Sequence, residues 1–78
     1  MKPNINFLRK VAAGEVANRF HYSPRTGGRY SFRGGELTYE KHLAGGFVNR
    51  APAASIGRPG YVTLTDQGLA ALAEADAA

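Results

Sequence analysis

The chain contains no cysteine. It can form neither a disulfide framework nor a thiolate metal site, which is typical of proteins that fold in a reducing cytosol. No apolar run approaches the length of a membrane-spanning helix, and Met1-Lys2-Pro3 leads into no signal-peptide core. From these absences we expect a cytoplasmic protein with no membrane segment.

Motifs of enzymatic chemistry are also scarce. His21 and His42 are far apart in the sequence, and neither has a partner at the spacing that places two metal ligands on one helical face. The three Gly-Gly pairs lack the spacing and the following Lys-Ser/Thr of a phosphate-binding loop, and turns account for them better. We therefore predict a non-enzymatic protein with no catalytic residues, no metal site and no cofactor.

Charge is distributed unevenly along the 78 residues, which are enough for one domain spanning residues 1–78. Residues 1–60 hold all ten Lys and Arg against three Glu, a net charge of +7, whereas residues 61–78 hold three acidic residues and a net charge of −3. A basic body with an acidic end is typical of proteins that bind polyanions and keep one helix away from the phosphates. A small domain can also be basic merely for solubility.

The first half of the chain is predicted to form a helix followed by a β-hairpin. The helix is expected over residues 4–14, with Asn4 as its N-cap and Gly14 as the left-handed residue that ends it. Residues 15–34 alternate in polarity around a turn cluster, which predicts two strands with aromatics on one side and arginines on the other. The aromatics could stack on unpaired bases, although alternating aromatics in a hairpin are more often core residues. They are Tyr22, Tyr30 and Phe32.

A short second helix is predicted over residues 36–44. Thr38 is its candidate cap, and Gly45-Gly46 is expected to end it. Residues 49–60 have no period and are rich in Gly, Pro and small residues, so they are predicted to form a loop.

The end of the chain carries the clearest local pattern. A strand is predicted over residues 61–64, Thr65 is the expected N-cap, and a helix should run from Asp66 to about Ala75. The predicted inner stripe of that helix consists of Leu69, Leu72 and Ala73. This stripe could pack on the first helix or serve a homodimer contact.

Three segments resemble bacterial winged-helix DNA-binding proteins. Residues 62–72, VTLTDQGLAAL, are similar to the wing strand and last helix of families such as MarR and PadR, with the pattern hydrophobic-x-Leu-Thr-x-x-Gly-x-x-x-Leu. Residues 43–48, LAGGFV, resemble the end of their recognition helix where it enters the wing. Residues 7–16 resemble the opening of very small winged-helix-like proteins encoded by GC-rich bacteria and their phages. The resemblance implies a small α+β winged-helix-like domain of order α-β-β-α-β-α.

The chain departs from this family pattern in the region before the wing. A full winged helix places two helices before the wing, whereas the Arg-rich hairpin of residues 15–34 stands here in place of the first. The resemblance therefore implies an incomplete helix-turn-helix with a short recognition helix.

The resemblance implies a DNA-binding module, such as a small phage or bacterial transcriptional regulator. The short helix would enter the major groove of duplex DNA, arginines of the wing loop would meet phosphate or the minor groove, and arginines of the hairpin would add backbone contacts. The expected contact residues are Arg25, Arg29, Arg33, Thr38, Tyr39, Lys41, His42, Arg50 and Arg58.

Two alternatives stay open at this point. One is a protein-interaction module, for example a phage-encoded modulator of a host protein, which presents the same basic face to an acidic partner. The other concerns single residues: Tyr39 could belong to the core, while Lys41 and His42 could be solvated side chains.

Overall fold

The computed structural model describes residues 1–77 and contains three helices and a three-stranded antiparallel sheet. The predicted α+β class is therefore confirmed. The strands lie in the order β2-β1-β3. In chain order the elements are α1 (Ile5–Ala12), β1 (Ala17–Ser23), β2 (Gly27–Arg33), α2 (Glu36–Ala44), β3 (Gly60–Tyr61) and α3 (Asp66–Ala77).

Local hydrogen bonds fix both ends of α1. The side-chain oxygen of Asn4 accepts a hydrogen bond of 3.1 Å from the Phe7 amide, which satisfies one of the free donors at the helix start. Gly14 has a φ of 75°, and the amides of Gly14 and Glu15 donate back to carbonyls of the last turn. This pair of bonds forms a Schellman motif. Both predicted ends of the helix are confirmed.

Strands β1 and β2 form the predicted hairpin, and most of it projects from the domain. Its register runs from Ala17 opposite Arg33 to Ser23 opposite Gly27. Strand β3 pairs only with Ala17 and Asn18, so β1 has no further strand beside it beyond that point. The molecule is accordingly long and narrow, with extents of 51 × 20 × 17 Å. We call the projecting part, residues 19–31, the arm.

Helix α2 has the predicted bounds, but its predicted cap is wrong. The residue before the helix is Gly35, with a φ of 96° and no side-chain capping bond, and Thr38 lies within the first turn. The chain turns sharply out of β2 through a glycine pair, so the helix begins as soon as that turn ends. At the other end, Gly46 has a φ of 82° and the Phe47 amide donates to the His42 carbonyl at 2.9 Å, which confirms the predicted stop.

The segment between α2 and α3 runs away from the end of α2 and then returns antiparallel to itself before α3 begins. Val48 and Leu64 form an isolated antiparallel bridge, and the Asn49 amide donates to the Thr63 carbonyl at 2.8 Å. The predicted closing strand is thereby divided, because Gly60–Tyr61 pairs with β1 whereas Leu64 pairs with Val48.

Thr65 caps α3 as predicted and also connects it to the end of α2. Its hydroxyl oxygen accepts from the Gly68 amide at 3.1 Å, while the hydroxyl itself donates to the Gly46 carbonyl at 2.6 Å. One side chain therefore satisfies a free donor at the start of α3 and an acceptor outside it.

The inner face of α3 differs from the predicted stripe. Leu69 is 53% exposed and Ala73 is exposed, whereas Gly68 is buried. This side of the helix lies against the backbone of Phe47. A Cβ at Gly68 would overlap the carbonyl oxygen of Phe47, so only glycine permits the approach. Ala71 and Leu72 pack against the core on the same side.

The core lies where the helices meet the base of the sheet. Leu8, Val16 and Val62 are its most enclosed large side chains. On the surface, Arg9 of α1 and Asp76 of α3 form an ion pair of 2.8 Å. Within residues 1–77, no helix is long and apolar enough to cross a membrane.

Candidate nucleic-acid interface

One face of the arm is basic. The register places Arg19 opposite Ser31 and His21 opposite Arg29, and side chains directly opposite in an antiparallel pair lie on the same side. His21 Nε2 and Ser31 Oγ lie 2.9 Å apart and form a hydrogen bond across the strands. Arg33 continues this face toward the domain. We call this side of the hairpin the basic face.

The loop before β3 adds a further arginine to the basic face. Ser55 and Arg58 exchange two backbone hydrogen bonds, of 3.1 and 2.9 Å, which close a tight turn. A cavity of about 280 Å³ separates this turn from β1, and its lining includes Arg19, His21 and Arg58. Residues distant in sequence thus converge beside the open edge of β1.

Within residues 1–77, no carboxylate forms a salt bridge with these arginines. Residues 16–35 contain neither Asp nor Glu. Among the described residues 1–77, the one salt bridge joins Arg9 and Asp76, which belong to α1 and α3. Arg29, Arg33 and Arg58 are exposed, as is Arg25 at the hairpin turn, and they are therefore available to an anionic partner, whereas Arg19 is half-buried.

The opposite face of the arm is aromatic. Near the domain, Phe32 stacks on Tyr39 with ring centroids 4.6 Å apart, so this end is part of the core. Farther out, Phe20 packs on Tyr30 at 5.0 Å, but Tyr30 is 70% exposed and Tyr22 is 61% exposed. The expectation that alternating aromatics belong to the core holds for Phe32 and fails for the two tyrosines.

Tyr39 does not lie on the surface, where it was predicted to contact DNA. Its side chain is buried, and its hydroxyl accepts a buried hydrogen bond of 3.0 Å from the Ala51 amide. A DNA contact through Tyr39 is therefore wrong, and the alternative of a core residue is confirmed.

His42 is likewise buried, and it is 3% exposed. Its Nδ1 bonds to the Thr38 carbonyl at 2.7 Å, which requires a proton on Nδ1, and its Nε2 accepts from the Asn4 amide at 2.8 Å. The hydrogen bonds thus assign the neutral Nδ1–H tautomer. Both expectations for His42, a DNA contact and a solvated side chain, are wrong, because the ring is buried and both of its nitrogens form hydrogen bonds within the protein.

The outer face of α2 does not form a basic reading surface. Lys41 is exposed there, but Glu36 and Glu40 are exposed on the same side, and Leu37 is 75% exposed. One lysine against two glutamates leaves this face acidic. Thr38 is half-buried, and its carbonyl already accepts from His42.

The remaining predicted contact residues are solvent-exposed arginines. Arg50 lies in the loop that follows α2, and the others lie on the hairpin or beside it. These others are Arg25, Arg29, Arg33 and Arg58.

The sequence-based set omitted Arg19 and His21, which complete the basic face. Their alternation with the aromatic residues Phe20 and Tyr22 was visible in the sequence. Their position opposite Ser31 and Arg29 follows only from the register, which the length of the turn decides.

Within residues 1–77, no group of three or more His, Asp or Glu side chains is placed to hold a metal ion. Comparisons with protein-family models, with curated proteins and with solved structures found no match to this chain.

Proposed function

We propose that this protein is a non-enzymatic DNA-binding module that contacts duplex DNA through the basic face of the arm. The observation that carries the proposal is the convergence of Arg19, Arg29 and Arg58 beside His21, with no carboxylate near them in the hairpin. Arginine is suited to phosphate oxygens because its planar donors bind them in pairs. Contacts of this kind supply essentially all of the sequence-independent affinity of a protein for DNA.

The dimensions of the hairpin formed by β1 and β2 fit a groove of duplex DNA. Seven residues per strand give a ribbon about 20 Å long at the usual rise of a β-strand. The major groove, about 12 Å wide, admits a two-stranded β-ribbon. Arg25 at the tip and Arg33 at the base would then contact phosphates at either end, while α2 with its acidic outer face would stay outside.

The winged-helix-like architecture is part of the same proposal. Its support is the bridge between Val48 and Leu64, which makes the chain leave α2 and return directly into the Thr65-capped helix α3. The loop between them carries Arg50, in the position of a wing residue. The helix-turn-helix stays incomplete because a hairpin precedes α2, so the arm takes over DNA contact in a small bacterial or phage transcriptional regulator.

The experiment is a salt titration of binding to a labelled duplex, followed by fluorescence anisotropy. Neutralising about four phosphates gives a slope of roughly −3.6 in log affinity against log salt. Arg29→Ala and Arg58→Ala should each make the slope shallower by about 1. Lys10→Ala is the matched control, since Lys10 is an exposed cation of α1 on another element. An affinity that does not change with salt, or no binding at low salt by a folded sample, contradicts the proposal.

A protein-interaction module is the second candidate, and one observation favours it. Ile56 is 68% exposed on the same turn as Arg58, and an apolar side chain beside an arginine suits the core of a protein interface better than a phosphate backbone. The partner would be an acidic protein. Co-purification of one stoichiometric protein without nucleic acid, abolished by Ile56→Ser, would favour this candidate over DNA.

A further inference from the structure

In the part of the chain that the structure describes, residues 1–77, nothing covers the outer aromatic face of the arm. Tyr22 and Tyr30 are mostly exposed, whereas Phe20 between them is half-buried. The residue opposite Tyr22 is Gly28, and the ring of Phe20 occupies the space that a Cβ there would need. Phe20 therefore lies flat against the ribbon, and the tyrosines form the outer surface.

This surface is held in place by the domain. Phe20 packs on Tyr30 at 5.0 Å, and the same face continues to Phe32, which stacks on the buried Tyr39. The hydroxyl of Tyr39 in turn accepts from the Ala51 amide. A row of rings thus extends from the core to the solvent, and its inner end is fixed by packing and a hydrogen bond.

Charge indicates what kind of molecule would cover the tyrosines. The arm contains Arg19, Arg25 and Arg29 and no acidic residue, so an anionic partner is favoured over a second basic copy of this chain. Strand β2 is the outer strand of the sheet, which lets long side chains reach around its free edge. Exposed aromatic rings on a ribbon that also carries arginines are a combination that binds unpaired nucleotides, because every base has a face that can stack.

We propose that the aromatic face of the arm binds unpaired bases of DNA by stacking on Tyr22 and Tyr30. The inference rests on the proposed function, since the basic face supplies the electrostatic attraction on the other side of the same ribbon. The preferred ligand would then be duplex DNA that adjoins a single-stranded segment. The duplex contacts the basic face, and the first unpaired nucleotides contact the tyrosines.

The test compares a blunt duplex with the same duplex carrying a single-stranded oligo-dT tail. The wild-type protein should bind the tailed DNA at least about fivefold more tightly, the gain expected from one stacked base. The double variant Tyr22→Leu/Tyr30→Leu should lose this preference and keep its affinity for the blunt duplex. The double variant Tyr22→Phe/Tyr30→Phe keeps both rings and should retain the preference.

The outcomes separate this inference from the proposed function. Equal binding of tailed and blunt DNA by the wild-type protein overturns the inference and leaves duplex binding intact. Absence of binding to both DNAs overturns both. A preference for tailed DNA that survives the Leu substitutions also overturns the inference, as does a dimer in sedimentation that those substitutions dissociate. If the Leu variant fails to fold, the wild-type comparison alone still decides against the inference whenever the two affinities are equal.

Discussion

The backbone amide of Asn4 donates a hydrogen bond of 2.8 Å to Nε2 of His42. Asn4 is the N-cap of α1, and His42 lies in the last turn of α2, so one bond joins the ends of two helices. The second nitrogen of the ring is occupied by the Thr38 carbonyl, and the ring packs against Phe7 with centroids 4.8 Å apart. His42 therefore acts as a structural connection between the helices.

Replacement of this histidine should destabilise the fold. We expect His42→Ala to lower the free energy of unfolding by about 2–4 kcal/mol, because it removes a buried ring and leaves the Asn4 amide and the Thr38 carbonyl without this partner. Urea denaturation measures the change. His21→Ala is the matched control and should alter stability by no more than about 0.5 kcal/mol, since His21 is exposed on the arm. Equal effects of the two substitutions would contradict the structural role of His42.

The hydroxyl of Tyr39 should contribute to stability in addition to the packing of its ring in the core. Tyr39→Phe removes the acceptor of the buried Ala51 amide, which should cost about 1–2 kcal/mol in the free energy of unfolding. Thermal denaturation of the variant would show the loss. Tyr30→Phe makes the same chemical change at a ring that is 70% exposed, and its melting temperature should match that of the wild type. A Tyr39→Phe protein as stable as the wild type would show that the bond contributes nothing.

For the substitution Gly68→Ala, helix propensity and packing predict opposite changes in the free energy of unfolding. Alanine is favoured over glycine in a helix by about 1 kcal/mol, but a Cβ at this position overlaps the carbonyl oxygen of Phe47. Overpacking costs about 1–3 kcal/mol even among flexible side chains, and here the obstacle is backbone, so we expect Gly68→Ala to be destabilising. Denaturant unfolding gives the sign. Ala73→Gly, at an exposed site of the same helix, measures the propensity contribution by itself, and a more stable Gly68→Ala protein would show that α3 can shift without cost.

Substitutions in helix α2 and in the arm should affect duplex binding differently. Lys41→Ala should leave affinity and sequence preference nearly unchanged, because Glu36 and Glu40 share its exposed face. Arg29→Ala should weaken binding by about fivefold or more on every sequence, as expected for the loss of a charge-assisted phosphate contact. Anisotropy titrations on two duplexes of unrelated sequence make the comparison. A change in sequence preference for Lys41→Ala would restore α2 as the reading element.

Much of the secondary structure could be predicted because its causes are local. Asn4 and Thr65 accept bonds from amides three residues on, and Gly14 and Gly46 take the left-handed conformation that ends a helix. The bounds of α2 follow from the glycine pairs on either side of it. Each of these features depends on neighbours within one helical turn.

The same local rules were wrong at two positions. A threonine near the start of α2 was expected to cap it, but Thr38 lies inside the helix because the preceding turn leaves the helix start to Gly35. The leucines of α3 were predicted to lie on its inner stripe, yet Leu69 is exposed because the helix turns Gly68 toward Phe47.

By itself, the sequence determined the α+β class, the caps of α1 and α3, and the alternation of arginines with aromatics in the hairpin. The tertiary structure decided which of those side chains meet solvent. His42 and Tyr39 are buried because α1 and the Ala51 loop supply partners for their polar atoms. Tyr22 and Tyr30 stay exposed because, within residues 1–77, no second layer packs on the aromatic face of the arm. Alternation assigns a residue to one side of a strand, but only the packing of other elements determines whether that side is covered.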